Sequence, residues 1–516
     1  MSERIEAPEQ SVVRVAPVVW LVAAATLLLH LATANGYGIF RDEMYYIVCS
    51  QRLDWGYVDH PPLSILLLAF WRLVFGESLL ALRFLPGLAH ACAALLFGLI
   101  ARELGARRFG QSFAALACAV MPVYLATSSY YSMNPLDTVF WAVLTYLLCR
   151  IAATENPALW LLFGAVAGLG LQNKFSVAFL GAALTAGVIL TQQRKWLLNP
   201  YLYAGGAIAV LVLLPHLVWM YRHDWITLEF MHNASTYKNS PTNPVKYFFD
   251  QVLMAHPLLL PLWMAGIGYG LSGRVRQPAR MFAIMFVVLF LFFSLTRGKS
   301  YYLAPAYALV VPAGALAIER FSDTRRAWLR PVALVWTLAG GLALAPLAIP
   351  MLPVEQVLRY QSALGIGRVK DEVGHSAALN QHFSDRFGWR EYVEVVAKAY
   401  QALPEAERAQ CAILCDNYGE AAAIDVLGRD LGLPYAISMH NNYWLWGPRN
   451  ASPDVLMVVS WVGRDIANAG VFASGGEVAR AVHPYSEEQE IPIYVFRNLK
   501  PPLTIDALWR QHKKII

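Results

Sequence analysis

Eleven apolar runs, most of them close to the length of a bilayer crossing, constrain this chain more than any other feature. A helix that crosses the hydrocarbon core needs about 20 mostly apolar residues. The runs fall at 16–34, 79–100, 111–128, 136–152, 158–171, 175–190, 201–221, 251–271, 281–296, 303–318 and 331–350. Soluble domains carry about 25% charged residues; here only 15% are charged and 57% are hydrophobic, so the chain is a membrane protein. Its net charge of +6 sits mostly in short loops between the runs, a topological pattern that excludes a nucleic-acid surface. The polar start MSERIEAPEQ leads into the first run without a cleavage site, so that run is expected to stay as an anchor.

Basic residues favour the cytoplasmic side of a membrane protein. The clusters are Arg102/Arg107/Arg108, Arg194/Lys195, Arg274/Arg276/Arg280 and Arg320/Arg325/Arg326/Arg330, with Arg4 and Arg14 before the first run. They share one side on two conditions. The short run 63–75, which follows Pro61-Pro62 and carries Arg72, must lie on the membrane as an interfacial helix. The stretch 158–190 must be two crossings broken at Gln172-Asn173-Lys174. The expected topology then has eleven spans and a cytoplasmic N-terminus, with everything after Pro350 outside. The outward loops are 35–78, 129–135, 172–174, 222–250 and 297–302.

Those loops hold the unusual residues. Residues 35–62, NGYGIFRDEMYYIVCSQRLDWGYVDHPP, gather Arg41, Asp42, Glu43, Arg52, Asp54, Asp59 and His60 beside a span. Ionisable groups in such places mark chemistry or transport more often than decoration. The loop 297–302, RGKSYY, sets Arg297 and Lys299 against the positive-inside trend, and binding a phosphate at the surface is one reason for such an exception. Carboxylates, cations and an apolar wall on one face suit a reaction that joins an acceptor to a group carried on a lipid phosphate. A carboxylate takes the acceptor's proton and the cations stabilise the leaving phosphate. Candidates for contact with sugar or acceptor are Asp59, Tyr45, Tyr301, Tyr302, His232 and Tyr237.

Beyond residue 352 the pattern changes. Residues 353–516 alternate helix-like and strand-like runs, as in a small soluble α/β domain appended to a membrane domain at 1–352. FGWREYVEVVAKAYQAL reads as a helix, and CAILCDN, GEAAAIDVLGRDLG and AISMH as a βαβ unit. DVLMVVSW and IPIYVFRN read as strands and LTIDALWRQHKK as a closing helix. No glycine-rich phosphate loop is formed. HNNYWLWGP is an aromatic stretch suited to docking on the membrane domain. Cys411 and Cys415 on one strand would stand about 13 Å apart, too far for a disulfide. No metal-ligand spacing is present, and although the outer carboxylates could hold a divalent cation, nothing in their spacing demands one.

RDEMYY after the first span, DHPPL before the interfacial helix and GKSYYLAPAY before a late span resemble the membrane glycosyltransferases of family 39. These are the relatives of protein O-mannosyltransferases and of lipid A aminoarabinose and galacturonic acid transferases. The likeness covers about residues 16–350, and HFSDRFGWREY, NYGEAAAID and HNNYWLWGP are similar to the C-terminal domain of a bacterial branch. It implies an integral-membrane, all-α GT-C fold of about eleven transmembrane helices plus interfacial helices, with an extracytoplasmic C-terminal α/β domain. It also implies transfer from a polyprenyl-phosphate sugar, usually with inversion, to a glycolipid, polymer or protein acceptor outside the bacterial cytoplasmic membrane. The lipid-linked sugar is the co-substrate, and no cofactor or nucleic acid is implied. Residue by residue, Asp42 and Glu43 match the family's acidic pair, with Asp42 the implied base, and Lys299, with Arg297 and His60, the implied phosphate partners. Relatives often carry Glu-Lys where this chain has Asp59-His60, and histidine, unlike lysine, changes charge near neutral pH. The competing readings are a secondary transporter and a non-catalytic glycan- or lipid-binding homologue. Against transport, the charges lie at span ends and no repeat is visible.

Overall fold

The structure is a computed structural model that describes residues 14–516 except 239–241, 273–277, 366–376, 450 and 453. Arg4, Arg274 and Arg276 of the basic clusters lie outside the described residues.

Apolar sequence without internal breakers becomes helix. The chain starts with α1 (Pro17–Thr33), then places two short helices, α2 (Arg41–Ser50) and α3 (Leu63–Phe75), before α4 (Leu79–Glu103). The α3 helix buries Ser64, Ile65 and Leu68 and exposes Leu66, Phe70, Leu73 and Phe75, the one-sided pattern expected of a helix lying on a membrane. Next come α5 (Arg108–Val120), α6 (Pro122–Thr127) and α7 (Met133–Thr154). The break before α6 is at Pro122, which has no N–H to continue a helix.

The stretch 158–190 divides as its polar centre suggests, into α8 (Leu159–Asn173) and α9 (Ser176–Ile189), with Lys174 extended between them. The chain continues through α10 (Pro200–Arg222), α11 (Ile226–Asn233), α12 (Pro244–Ala255), α13 (Leu260–Leu271), α14 (Ala279–Leu295), α15 (Tyr307–Phe321) and α16 (Leu329–Ala348). Close helix packing uses small residues, as expected where lipid supplies no hydrophobic drive. A Cβ on Gly164 of α8 would stand 2.0 Å from the Gly205 carbonyl oxygen of α10, and one on Gly266 of α13 the same distance from the Val310 carbonyl of α15.

The span count differs from the eleven expected. Among the described residues five helices are long and apolar enough to cross a membrane, or seven if two bent pairs each count as one. The run 251–271 is not a straight crossing: it bends by 97° between α12 and the segment Pro257–Leu271. Helices α1, α8 and α14 are apolar but only 17, 15 and 17 residues long.

The C-terminal part forms a mixed sheet of β1 (Ala412–Cys415), β2 (Ile437–Ser438), β3 (Val455–Val459), β4 (Phe472–Val482) and β5 (Glu490–Leu499), in the order β2-β1-β3-β5-β4. The pairs β2–β1 and β1–β3 are parallel, and β3–β5 and β5–β4 antiparallel. The helix Tyr418–Leu427 completes the expected βαβ unit. Strand β4 was not expected: FASGGEVARAV holds two glycines and little apolar alternation, and it forms an exposed edge. Cys411 and Cys415 are both free and buried.

One hydrophobic cluster joins the two ends of the chain. Met44, Tyr45, Ile47 and Cys49 of α2 pack with Ile413 and Cys415 of β1, Ala421 and Ile424 of the following helix, and Val459 and Ile493 of the sheet. The loop expected between two spans is thus a helix seated in the core of the C-terminal fold.

Candidate active site

The first turn of α2 carries Asp42 and Glu43, where the positive end of the helix favours carboxylates. The two face different surroundings. Glu43 is sealed: Oε1 accepts from Arg83 Nε at 3.0 Å and the Tyr131 N–H at 2.9 Å, and Oε2 accepts from an Arg83 Nη at 2.8 Å and the Phe40 N–H at 2.9 Å. Arg83, in α4, also donates to the carbonyls of Ala34 at 2.5 Å and Gly38 at 2.6 Å. Both partners are 1% exposed. Burial raises the Glu43 carboxyl's pKa, but the Arg83 charge and hydrogen bonds outweigh it and hold the carboxyl below its ordinary 4.5. Glu43 therefore works as the anchor that orients the start of α2 and the 34–38 loop. The catalytic role expected for it does not fit a carboxylate with no open face.

Asp42 instead lines a cavity of about 700 Å³. Its Oδ1 accepts from the Tyr418 hydroxyl at 2.9 Å, and the neighbouring Arg41 Nε stands 3.8 Å away. Arg41 also lines the cavity and pairs with Asp385 at 3.3 Å. On the same walls lie Gly298, Lys299, Ser300 and Tyr301, from the loop after α14. That loop is held from beneath. Gln251 Nε2 donates to the Ser300 carbonyl at 2.8 Å, and the Ser300 hydroxyl donates to Asp250 at 2.8 Å. Asp250 pairs with Lys246 at 2.7 Å, which places a second lysine on the cavity wall. Lys174 lies 5.4 Å and 5.5 Å from the ring centres of Tyr301 and Tyr302, and donates to Asn134 at 2.8 Å. One side of the cavity is apolar, formed by Val123 and Ala126 of α6, Leu253 and Met254 of α12, and Leu344 and Leu347 of α16.

The structure thus brings Asp42, Lys299 and Tyr301 together from distant parts of the sequence, with Tyr302 beside them at 4.9 Å from Tyr301. It does not bring the other expected residues to this cavity. His60 is buried against Tyr46 at 4.7 Å and Tyr57 at 5.0 Å, with Nδ1 on its neighbour's carbonyl at 3.1 Å. It is 1% exposed among these rings, with its Nε2 3.8 Å from Asp59 Oδ1. Asp59 accepts from Tyr45 at 3.0 Å, and Tyr45 accepts from Asn442 at 2.7 Å, so both serve the seam with the C-terminal fold. Arg297 is exposed with φ 58°, outside the cavity lining. His232 and Tyr237 are exposed on and after α11, and also outside it. Arg52 and Asp54 of the same charged stretch have partners elsewhere: Arg52 lies 4.5 Å over Trp446, and Asp54 accepts from Trp219 at 2.9 Å.

Several wall residues carried no sequence signal strong enough to select them. Asn380, Gln381, His382 and Asp385 reach the cavity from the C-terminal part. Arg386 beside them is buried, donates to the Ser129 hydroxyl at 2.6 Å and lies 5.7 Å from the Tyr130 ring. Burial, with Arg83 nearby, lowers its pKa to about 9. Arg83 itself was findable, as a charge inside an apolar run. Among the described residues no group of three or more His, Cys, Asp or Glu side chains could hold a metal ion.

Residues 59–219 match the profile of the dolichyl-phosphate-mannose-protein mannosyltransferase family. The chain is 25% identical over 278 residues to an undecaprenyl phosphate-alpha-4-amino-4-deoxy-L-arabinose arabinosyl transferase of Proteus mirabilis (strain HI4320), covering 51% of this chain and 49% of that one. It is 28% identical over 203 residues to the lipopolysaccharide core galacturonosyltransferase RgtB of Rhizobium johnstonii, covering 39% and 41%. The chain therefore spans about half the length, or less, of the curated relatives it matches. Among solved structures, ArnT from Cupriavidus metallidurans superposes in its apo state with a TM-score of 0.62 at 14% identity, covering 92% of this chain and 97% of that one. The same protein bound to undecaprenyl phosphate gives 0.61 at 13% identity, with the same coverage. A segment of the chain thus matches the dolichyl-phosphate-mannose-protein mannosyltransferase family, and the whole chain is a multi-pass membrane protein whose fold is like that of ArnT.

Proposed function

We propose that this protein transfers a sugar from a polyprenyl-phosphate donor to a glycolipid of the lipid A or lipopolysaccharide kind, at the outer face of the bacterial cytoplasmic membrane. The observation that carries the reading is one cavity with a carboxylate, Asp42, a cation, Lys299, and an apolar side built from α6, α12 and α16. Asp42 takes the proton of the acceptor hydroxyl as its oxygen attacks the anomeric carbon. The bond from that carbon to the phosphate oxygen breaks, and polyprenyl phosphate leaves with the electron pair. Lys299 stabilises the charge that builds on the leaving phosphate, with Lys246 on the same wall. Attack opposite the leaving group inverts the anomeric centre. The apolar side suits the first isoprene units of the donor.

In this reading residues 1–352 form the membrane unit, with a cytoplasmic N-terminus, and 353–516 an outer one. The names of the Proteus and Rhizobium relatives support a lipopolysaccharide-type acceptor and an undecaprenyl-phosphate donor.

The test is purified protein in vesicles with a polyprenyl-phosphate sugar and lipid A or core acceptor. Transfer should release polyprenyl phosphate, and Lys299→Gln should lower turnover by roughly 10². Movement of solute across the vesicles without release would establish the transporter reading instead.

A further inference from the structure

The C-terminal fold reaches the candidate base directly. Tyr418, the first residue of the helix Tyr418–Leu427, donates its hydroxyl to Asp42 Oδ1 at 2.9 Å. Its ring lies 4.5 Å from that of Tyr45, on the same helix as Asp42, and 5.0 Å from His440 of its own domain. The helix end is itself fixed by a capping box: Asn417 Oδ1 accepts from the N–H groups of Gly419 and Glu420 at 2.8 Å and 3.0 Å, and Glu420 reaches back to the Asn417 N–H.

A second observation comes from the next residue. A Cβ on Gly419 would stand 2.5 Å from Arg41 Cγ and 2.6 Å from Cδ. The C-terminal helix therefore approaches the Arg41-Asp42 turn as closely as backbone allows, and the absence of a side chain at 419 permits it. Tyr418 is 7% exposed and the Asp42 side chain 33% exposed, so the buried hydroxyl holds a carboxylate that keeps an open face.

A base that must meet an acceptor hydroxyl in one geometry gains from being held by one oxygen while the other accepts the proton. We propose that Tyr418 is a positioning residue for Asp42, so that the C-terminal domain completes the active site and is not merely an appendage to it. The inference rests on Asp42 being the base. It assigns Tyr418 a part in turnover exerted through the Asp42 carboxylate, since Tyr418 itself is not among the residues that line the cavity.

The experiment is a double-mutant cycle on the full-length protein in vesicles, with the lipid-linked sugar and acceptor. Tyr418→Phe keeps the ring and its packing and removes only the donor. It should lower kcat by about tenfold, the weight of a hydrogen bond to a charged group. KM for both substrates should stay within about twofold, since no substrate contact is lost. In an Asp42→Asn background the same change should have no further effect, because the side chain that Tyr418 then holds no longer takes a proton. Gly419→Ala, which pushes on Arg41 from the same helix, should also lower kcat and leave KM in place.

A normal kcat for Tyr418→Phe beside an inactive Asp42→Asn overturns this inference and leaves the base assignment standing. Equal losses in the two backgrounds also overturn it, because Tyr418 would then act independently of Asp42. Near-normal turnover by Asp42→Asn alone overturns the base assignment itself.

Discussion

Asp42→Asn should lower turnover by roughly 10²–10⁴, the usual weight of a general base, while leaving the folded protein intact. Asparagine is nearly isosteric and can still accept from Tyr418, so the hydrogen bond at 2.9 Å has a successor. What is lost is the capacity to take a proton. Asp42 lies on the cavity wall and outside the buried network of Glu43, so its charge is not needed to hold α2 in place. The check is a steady-state transfer assay beside a thermal melt, with kcat falling and the melting temperature unchanged within error. Binding of polyprenyl phosphate should also be retained, because the proposed phosphate partner, Lys299, is on another element.

Glu43→Ala should act in the opposite way, on stability before chemistry. It removes both oxygens that satisfy Arg83, Tyr131 and Phe40, and leaves the Arg83 guanidinium buried without its counter-ion. Breaking such a pair costs about 3–5 kcal/mol, mostly the penalty of the orphaned charge. Replacing both partners, as in Glu43→Gln with Arg83→Met, should cost less than Glu43→Ala alone, since no buried charge remains unpaired.

The pH dependence follows from the sign of the shift. Glu43 is held below 4.5 in the folded state, so its contribution is complete above that value and fades as pH falls through the lowered folded pKa. Wild-type melting temperature should therefore drop on acidification into that range, and Glu43→Ala should lose that part of the acid dependence. Thermal melts in detergent at neutral and acidic pH measure both effects.

The helices of the membrane part were largely legible because apolar length is a local property. The break at Lys174 and the short, one-sided helix Leu63–Phe75 both follow from a few polar residues in otherwise apolar sequence. The 251–271 run was misread as a straight span because its sequence gives no measure of the angle at His256-Pro257. The helix Arg41–Ser50 was hidden for a different reason. Its buried face is completed by Ile413, Ile424 and Ile493, far along the chain, and short-range periodicity does not register such a partner.

The site divided along the same line. Asp42 and Lys299 stood out as charges near membrane ends, and they share a cavity. Asp59, His60 and Tyr45 stood out equally and lie in the seam with the C-terminal domain, because a charge pattern does not distinguish a wall residue from a strut. Asp385 and Tyr418 had no such signal: each is an ordinary residue of an α/β fold until the structure sets it beside Arg41 and Asp42.

A structure of the protein with polyprenyl phosphate bound tests the central claim most directly. The phosphate should lie in the 700 Å³ cavity within hydrogen-bonding reach of Lys299, with Asp42 across from it and the isoprene chain along Ala126, Leu253 and Leu344. Phosphate bound beside Asp59 and His60, with the Lys299 cavity unoccupied, would contradict the account.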